Sequence, residues 1–264
     1  LIITLVIPKN GIRGIERFDR ILSEKVKYPF SLFVNVNSAP TNVIYGEEFR
    51  LISGAREYSS DMLGVKFKAG VRSFMQVNTS VCSKLYSAVL AAVGADENTT
   101  VIDAYSGAGV MTALLAGVAK KAIGIEVVPE AVALADEVKK INGLEDKMEN
   151  ILGKCEDVLP AIVAEEKSRG GKVAVVLDPP RKGCDEKVIS ALIESKVDKI
   201  VYVSCKPSTL ARDVGLLVGS LQRLSNGIKR AENYIPRYEI ESVKPFDMFA
   251  QTKHIETLVV LKRI

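Results

Sequence analysis

The stretch Thr100-Val-Ile-Asp-Ala-Tyr-Ser-Gly-Ala-Gly109 joins a β-branched run to a turn that contains two glycines. In open α/β sheets such a turn connects a strand to a helix at the carboxyl edge of the sheet, where ligands bind. Around it, over residues 73–264, short β-branched runs alternate with amphipathic segments, which is typical of β-α units. We therefore predict a Rossmann-like α/β domain with a mostly parallel, seven-stranded sheet. The predicted strands are 100–105, 121–126, 148–152, 172–177, 199–203, 240–244 and 257–261.

Residues 1–72 differ from the rest of the chain because strand patterns dominate, with turn signals at Asn10-Gly11 and Tyr45-Gly46. Side chains alternate along residues 32–37, as in a strand with two different faces. Apolar residues recur at three- and four-residue spacing from Ile15 to Val26, which predicts a helix that covers a small sheet. The sequence thus predicts a smaller N-terminal α+β domain over residues 1–72.

Composition places limits on the class of protein. Of the 264 residues, 26% are charged and 47% hydrophobic, as in ordinary globular proteins. No apolar run approaches the roughly 20 residues of a membrane span, so we expect a cytoplasmic protein with no membrane partner. The net charge of +4 slightly favours a polyanionic partner. The four cysteines form no Cys-x-x-Cys pair, so no metal site and no disulfide framework is expected within these residues. The chain begins at Leu1, inside a strand pattern, and we expect that an N-terminal portion is missing.

The turn at Gly107 and Gly109 predicts a cofactor site. Glycines let the backbone approach a ligand closely, and Glu126 ends the next strand, where its carboxylate can accept hydrogen bonds from both ribose hydroxyls. Thr112 replaces the third glycine of a dinucleotide fingerprint, which favours S-adenosyl-L-methionine over a nicotinamide cofactor. The alternative is a tight strand-helix turn followed by a solvated strand end.

A second motif, Asp178-Pro-Pro-Arg-Lys-Gly183, follows the fourth predicted strand of the large sheet. The prolines stiffen a loop that holds Asp178 at the carboxyl edge, where it can bind a base edge or the methionine amino group. Arg181 and Lys182 can meet phosphates. The alternative for Asp178 is a helix N-cap with basic neighbours.

Cys205 ends the next strand, within Ser204-Cys-Lys-Pro207. The helix that Pro207 opens directs its N-terminal dipole at the sulfur, and Lys206 adds positive charge, so the nucleophilic thiolate is favoured. The alternative is a small buried cysteine at a strand end. Near the C-terminus, Glu256 in His254-Ile-Glu-Thr257 is a candidate general base, with a surface ion pair as the alternative.

Five segments, in this order and spacing, resemble the RNA (uracil-5-)-methyltransferase family: Ser73-Phe-Met-Gln-Val-Asn78, Asp103–Gly109, Asp178–Gly183, Ser204–Pro207 and His254–Thr257. The likeness covers essentially the whole chain. It is closest to the branch acting on 23S ribosomal RNA, with the transfer RNA branch as a near relative. The resemblance implies a class I S-adenosylmethionine-dependent methyltransferase fold and formation of 5-methyluridine in RNA.

The resemblance also implies roles for individual residues. Cys205 would be the nucleophile that adds to the base, and Glu256 the base that removes a proton. Contacts with S-adenosyl-L-methionine would come from Gln76, Tyr105, Glu126 and Asp178.

The sequence departs from its relatives at two places. Val110 stands where relatives often have a polar residue, and Cys155 or Glu156 lies where relatives supply a side chain to the adenine. Relatives often carry an upstream β-barrel RNA-binding domain, and some carry an iron-sulfur cluster. We predict no cluster within these residues, because the cysteines are widely scattered.

The target uridine must sit in a loop or be flipped into the site, because stacking hides the ring carbons. Phe74 or Phe249 would stack on it, beside Asp178 and Arg181. Basic residues that would grip the RNA backbone are Arg50, Arg56, Lys66, Lys68, Arg72, Arg181, Lys182 and Lys253. We expect a monomer that acts on ribosomal RNA.

Several alternatives stay open at this stage. A cytosine C5-methyltransferase would normally have a Pro-Cys dipeptide, and here Ser204 precedes Cys205. An amino-group methyltransferase would have an aromatic residue where Arg181 stands. A transfer RNA substrate, or an inactive RNA-binding module that retains the fold, is also compatible with the motifs.

Overall fold

The computed structural model of the protein describes residues 1–9, 11–39, 44–71, 78–224 and 227–264. Two compact units make up the chain: Leu1–Ser60 with Lys68–Ser73, and Asp61–Phe67 with Phe74–Ile264. Within the described residues, no helix combines the length and the apolar character that a membrane crossing requires.

The first unit is built around a three-stranded sheet with one helix. Its elements are β1 (Ile2–Ile7), α1 (Ile15–Lys25), β2 (Ser31–Val36) and β3 (Glu48–Ser53). Two further strands, β4 (Glu57–Met62) and β5 (Val65–Gly70), pair with each other and are divided between the two units, because Asp61–Phe67 belongs to the second. Strands β1 and β2 are parallel, and β3 is antiparallel to β2. The spacing from Ile15 correctly predicted α1, where Ile15 and Leu22 pack against Leu32 and Val34.

Strand β2 is buried on both faces, which the alternation along residues 32–37 does not show. The reason is its central position between β1 and β3. The buried Asn35 side chain is tolerated because its amide donates to the carbonyls of Gly46 and Glu48, both at 2.9 Å, while its oxygen accepts from the Gly46 backbone at 2.8 Å.

The second unit alternates strands and helices. In chain order its elements are α2 (Thr79–Val93), β6 (Thr99–Ala104), α3 (Val110–Val118), β7 (Lys121–Glu126), α4 (Pro129–Ile141), β8 (Met148–Leu152), α5 (Cys155–Ser168), β9 (Lys172–Leu177), α6 (Glu186–Glu194), β10 (Lys199–Ser204), α7 (Pro207–Val218), β11 (Leu221–Leu224), β12 (Gly227–Arg230), β13 (Tyr238–Phe246) and β14 (Glu256–Arg263).

The large sheet has the order β13-β14-β10-β9-β6-β7-β8. Neighbouring strands from β8 to β10 are parallel, whereas β14 runs antiparallel to both of its neighbours. The predicted Rossmann-like, mostly parallel, seven-stranded sheet is therefore confirmed. Strand order reverses between β6 and β9, so the crevice at their carboxyl ends is the expected ligand site.

Helices on both faces bury the central strands, and every residue of β6 is buried. The core cluster includes Ile102, Val175 and Leu177 from neighbouring strands, each essentially inaccessible to solvent. This rigid centre fixes the positions at which the strands end. The polar residues of the candidate site lie at those strand ends.

Candidate active site

A cavity of about 250 Å³ opens at the carboxyl edge of β6, beside α2. The residues that line it are Met62, Phe67, Thr79, Cys82, Leu85, Tyr86, Val89, Asp103, Tyr105, Ser106, Gly107, Ala108, Val110, Met111, Val176, Asp178 and Val203. It lies at the strand-order reversal, where the fold predicts a ligand.

The two glycines of the first motif have different surroundings. Gly107 lines the cavity with φ +54°, and a Cβ built on it would meet nothing within 4 Å. Gly109 has φ +78° at the N-cap of α3, and a Cβ there would lie 2.6 Å from the Ala135 Cβ. Gly107 thus leaves open space for a ligand, whereas Gly109 allows α3 and α4 to pack closely. Gly109 is not among the lining residues.

Glu126 lies at the end of β7 and ties the glycine turn to that strand. Its Oε2 accepts the Gly107 backbone N–H at 2.9 Å, and its Oε1 accepts those of Val127 and Val128 at 2.8 and 2.9 Å. The carboxylate oxygens have further lone pairs, so ribose hydroxyls can still bind. Next to Glu126, Val127 is 53% exposed and Leu152, at the end of β8, is 54% exposed. Sequence reasoning missed this apolar pair, because exposure cannot be read from a strand pattern.

Thr112, at the position of the absent third glycine, has a defined role. Its hydroxyl donates to Asp103 Oδ2 at 2.6 Å, and both residues are buried. Burial raises the pKa of Asp103 to about 7; the Thr112 hydrogen bond opposes this shift and the charge of Glu126 adds to it. A glycine at position 112 would leave the buried Asp103 without this partner.

Tyr105 directly follows β6 and lies in the left-handed region, with φ +67°, an uncommon conformation for a non-glycine residue. Its side chain lines the cavity, and the Cys155 and Cys184 thiols are among its electrostatic neighbours. Burial raises the pKa of the Tyr105 phenol and raises that of the Cys155 thiol to about 12. Cys155 is 4% exposed, so of the two residues considered for the adenine, only Glu156 is accessible.

Asp178 follows β9 and lines the cavity. Its side chain is exposed to solvent in part, but protein atoms surround the carboxyl group and desolvate it. This desolvation, with the negative charges of Glu256 and Asp103, raises the pKa of Asp178 to about 7. A carboxyl group with this pKa can both donate and accept hydrogen bonds near neutral pH.

Cys205 and Glu256 lie at neighbouring strand ends. In the antiparallel pair β10–β14, Ser204 is opposite Thr257. Cys205, which follows Ser204, and Glu256, which precedes Thr257, therefore lie at the same edge of the sheet, the carboxyl edge of β10. Cys82, Cys155 and Cys184 are buried, whereas Cys205 is partly exposed. Glu256 is 5% exposed, and burial raises its pKa while the positive charge of Arg181 lowers it.

Arg181 connects the second motif to the C-terminal loop. Its Nη2 lies 3.1 Å from His254 Nδ1, and the His254 ring meets Phe249 edge-on at 6.3 Å between centroids. The structure therefore brings the predicted residues Arg181, Phe249 and Glu256 to one place. Gln76 and Phe74 lie outside the described residues.

Helix α2 contributes residues that sequence reasoning missed. Tyr86 and Cys82 line the cavity, and burial raises the pKa of both. Their spacing with Leu85 and Val89 defines one face of the helix, which begins after the Asn78 cap. That periodicity predicts a buried face but not that the face borders a ligand cavity.

Comparisons with known proteins identify the family of this chain. The family model described as tRNA (Uracil-5-)-methyltransferase matches residues 55–264. The chain is 34% identical over 264 residues to an RNA methyltransferase of Clostridium acetobutylicum, covering 100% of this chain and 53% of that protein. It is 39% identical over 237 residues to an RNA methyltransferase of Bacillus cereus, covering 89% and 46%. The chain thus spans about half the length of these relatives.

Among solved structures, the fold resembles the Pyrococcus abyssi tRNA (uracil-54, C5)-methyltransferase in complex with S-adenosyl-L-homocysteine, with a TM-score of 0.70 and 23% identity. The match covers 98% of this chain and 56% of that one. This likeness supports the class I methyltransferase fold. The family model and the relatives establish more than the fold: the chain belongs to the tRNA (uracil-5-)-methyltransferase family.

Proposed function

We propose that this chain carries the catalytic machinery that methylates carbon 5 of a uridine in RNA, with S-adenosyl-L-methionine as methyl donor. The observation that carries the proposal is the β10–β14 register, which puts Cys205 and Glu256 at the same sheet edge as the cavity. A nucleophile and a carboxylate acting side by side suit carbons 6 and 5, which are neighbours in the uracil ring.

The residues at this edge fit the proposed methyl donor. Gly107 leaves open space, Glu126 can accept from ribose hydroxyls, and the exposed Val127 and Leu152 offer apolar contact to an adenine. Asp178 would hold the methionine amino group or the base edge. When bound, S-adenosyl-L-methionine supplies an electrophilic methyl group. Predicted contacts from Gln76 and Tyr105 also belong to this proposal.

The chemistry needs a nucleophile because carbon 5 of uridine is a weak one. The Cys205 thiolate forms a bond to carbon 6, and the electrons of the ring double bond move to the carbonyl oxygen, giving an enolate. Carbon 5 then bonds the methyl group as the methyl–sulfur bond breaks. Glu256 takes the proton from carbon 5, the double bond re-forms and the carbon–sulfur bond to Cys205 breaks. The products are 5-methyluridine and S-adenosylhomocysteine.

The electrostatics around Glu256 suit a general base. Burial raises its pKa, which makes the carboxylate more basic, while Arg181 favours the ionised form that can accept a proton. Arg181 would meet an RNA phosphate and Phe249 a flipped base, and the contacts of both side chains with His254 support this assignment.

The substrate that we propose is ribosomal RNA, on the resemblance of the motifs to the 23S branch. Transfer RNA is the second candidate, because the matching family model and the Pyrococcus enzyme are named for it. Residues 1–72 would act as an RNA-binding module through their basic side chains. A monomeric state and a cytoplasmic location stay predictions.

The test incubates the protein with S-adenosylmethionine and 5-fluorouridine-substituted ribosomal or transfer RNA. Fluorine cannot leave carbon 5 as a cation, so a covalent protein–RNA adduct should accumulate and survive denaturation. We expect the adduct with wild type and not with Cys205→Ala, while Cys184→Ala, which alters a buried thiol, serves as control. Adduct on only one RNA class identifies the substrate. If wild type binds S-adenosylmethionine but traps neither RNA, the inactive-module alternative is favoured.

A further inference from the structure

Helix α7 begins at Pro207, two residues after Cys205, and hydrogen-bonds the loop that carries Asp178 and Arg181. Its Asp213 is 1% exposed and accepts the Cys184 backbone N–H at 2.9 Å and the Tyr202 hydroxyl at 2.8 Å. The other oxygen of Asp213 pairs with the Arg212 guanidinium at 2.7 Å. A buried carboxylate on α7 thus holds the end of the loop.

Two further side chains of α7 hold the loop backbone. Arg212 Nη2 donates to the Lys182 carbonyl at 2.9 Å. The Thr209 hydroxyl lies 3.2 Å from the Arg181 carbonyl and 3.0 Å from that of Lys206, the residue after Cys205. Thr209 therefore links the loop directly to the strand end that carries the nucleophile.

Gly183 shows how closely the loop approaches α7. It adopts φ +81°, and a Cβ there would collide with the Arg212 guanidinium and the Asp213 carboxylate. Only a glycine permits both this backbone conformation and this approach. The glycine of the second motif is therefore explained by contact with α7.

A buried ion pair is weak evidence for stabilisation, because the cost of desolvating two charges can exceed their attraction. The role of this pair is instead to fix the position of the loop. Thr209, Arg212 and Asp213 have the i, i+3, i+4 spacing of one helix face, and together they hydrogen-bond the backbone of residues 181, 182 and 184. We name these three residues the α7 anchor.

We propose that the α7 anchor consists of positioning residues, which hold Arg181 at a fixed place relative to Cys205. The inference rests on the proposed function, in which Arg181 and Cys205 both act on the RNA substrate. Small displacements of reacting groups lower rates sharply, so an anchor between the loop and the nucleophile would act on the chemical step more than on cofactor binding.

The test uses Thr209, which is near the surface, so its variants should fold. We expect Thr209→Val to lower kcat about fivefold, the worth of one hydrogen bond, with the S-adenosylmethionine Kd unchanged. Thr209→Ser keeps the hydroxyl and should restore kcat. Ser220→Ala is the matched control, because it removes a hydroxyl–carbonyl hydrogen bond to Gly215 at the other end of α7. Asp213→Asn should have a larger effect, of about 100-fold on kcat.

Backbone hydrogen exchange of residues 181–185 separates this inference from the proposed function. Thr209→Val should speed exchange in that loop, and Thr209→Ser should not. Unchanged exchange and unchanged kcat in Thr209→Val would overturn the inference even if Cys205 forms the adduct. If wild type forms no adduct, the proposed function fails, and the exchange experiment still shows whether the anchor holds the loop.

Discussion

Because Gly107 and Gly109 have different surroundings, we predict that an alanine at Gly109 mainly lowers the stability of the fold, whereas an alanine at Gly107 mainly weakens cofactor binding. An alanine at either position must adopt positive φ, which costs about 1 kcal/mol. At Gly107 nothing else opposes the new methyl group. At Gly109 it would lie 2.6 Å from the Ala135 Cβ and 3.0 Å from both the Ala135 Cα and the Met148 Cε. Overpacking of this kind adds roughly 1–3 kcal/mol.

We therefore expect Gly107→Ala to lower the free energy of unfolding by about 1 kcal/mol and Gly109→Ala by about 2–4 kcal/mol. Urea denaturation followed by circular dichroism measures both. Titration calorimetry with S-adenosylhomocysteine should show the opposite order: Gly107→Ala weakens binding at least about tenfold, because the methyl group occupies ligand space.

A rescue experiment tests the steric part alone. Ala135→Gly by itself should destabilise α4 by about 1 kcal/mol, but combined with Gly109→Ala it should recover part of the loss, because the nearest clashing atom is gone. Additive effects in the double variant would contradict the packing argument. Equal stability of Gly107→Ala and Gly109→Ala, or unaltered affinity in Gly107→Ala, would refute the division of roles between the two glycines.

Three more outcomes follow from the electrostatics of the site. Asp103, with a pKa of about 7, keeps a proton in the folded protein that the unfolded chain releases near pH 4. Its contribution to stability therefore falls as pH rises from about 4 to 7, by at most about 4 kcal/mol. Asp103→Asn should make the melting temperature less dependent on pH over this range, and an unchanged pH dependence would contradict the raised pKa. Glu256 must be ionised to act as base, so kcat should fall on the acid side; Arg181→Gln removes the charge that lowers the pKa of Glu256 and should move this limb to higher pH, whereas Arg181→Lys should move it less. Glu126→Gln replaces an acceptor oxygen by an amide N–H that faces backbone N–H donors. Calorimetry should therefore show S-adenosylmethionine binding weakened at least about tenfold. Glu130→Gln, in the first turn of α4, is the control.

The sequence by itself determined the architecture of the second unit. Alternation of β-branched runs with amphipathic segments reproduced β7, β8 and β9 to the residue, because buried parallel strands need continuous apolar runs. Pro207 correctly marked the start of α7, since a proline fits the first helical turn. The strands β13 and β14 extend beyond the predicted 240–244 and 257–261, because β13 lies at the sheet edge, where charged residues are tolerated.

Only the tertiary structure decided what each motif residue contacts. Nothing in the local sequence distinguishes Gly107, next to open space, from Gly109, against α4, because the difference lies in a helix 26 residues further along the chain. The pairing of Ser204 with Thr257 brings Cys205 and Glu256 together across more than 50 residues of chain, and no sequence period encodes that register. The hydrogen bond from the Cys184 backbone to Asp213 likewise joins two segments that are distant in the sequence. Their contact follows from packing of the core and not from any local pattern.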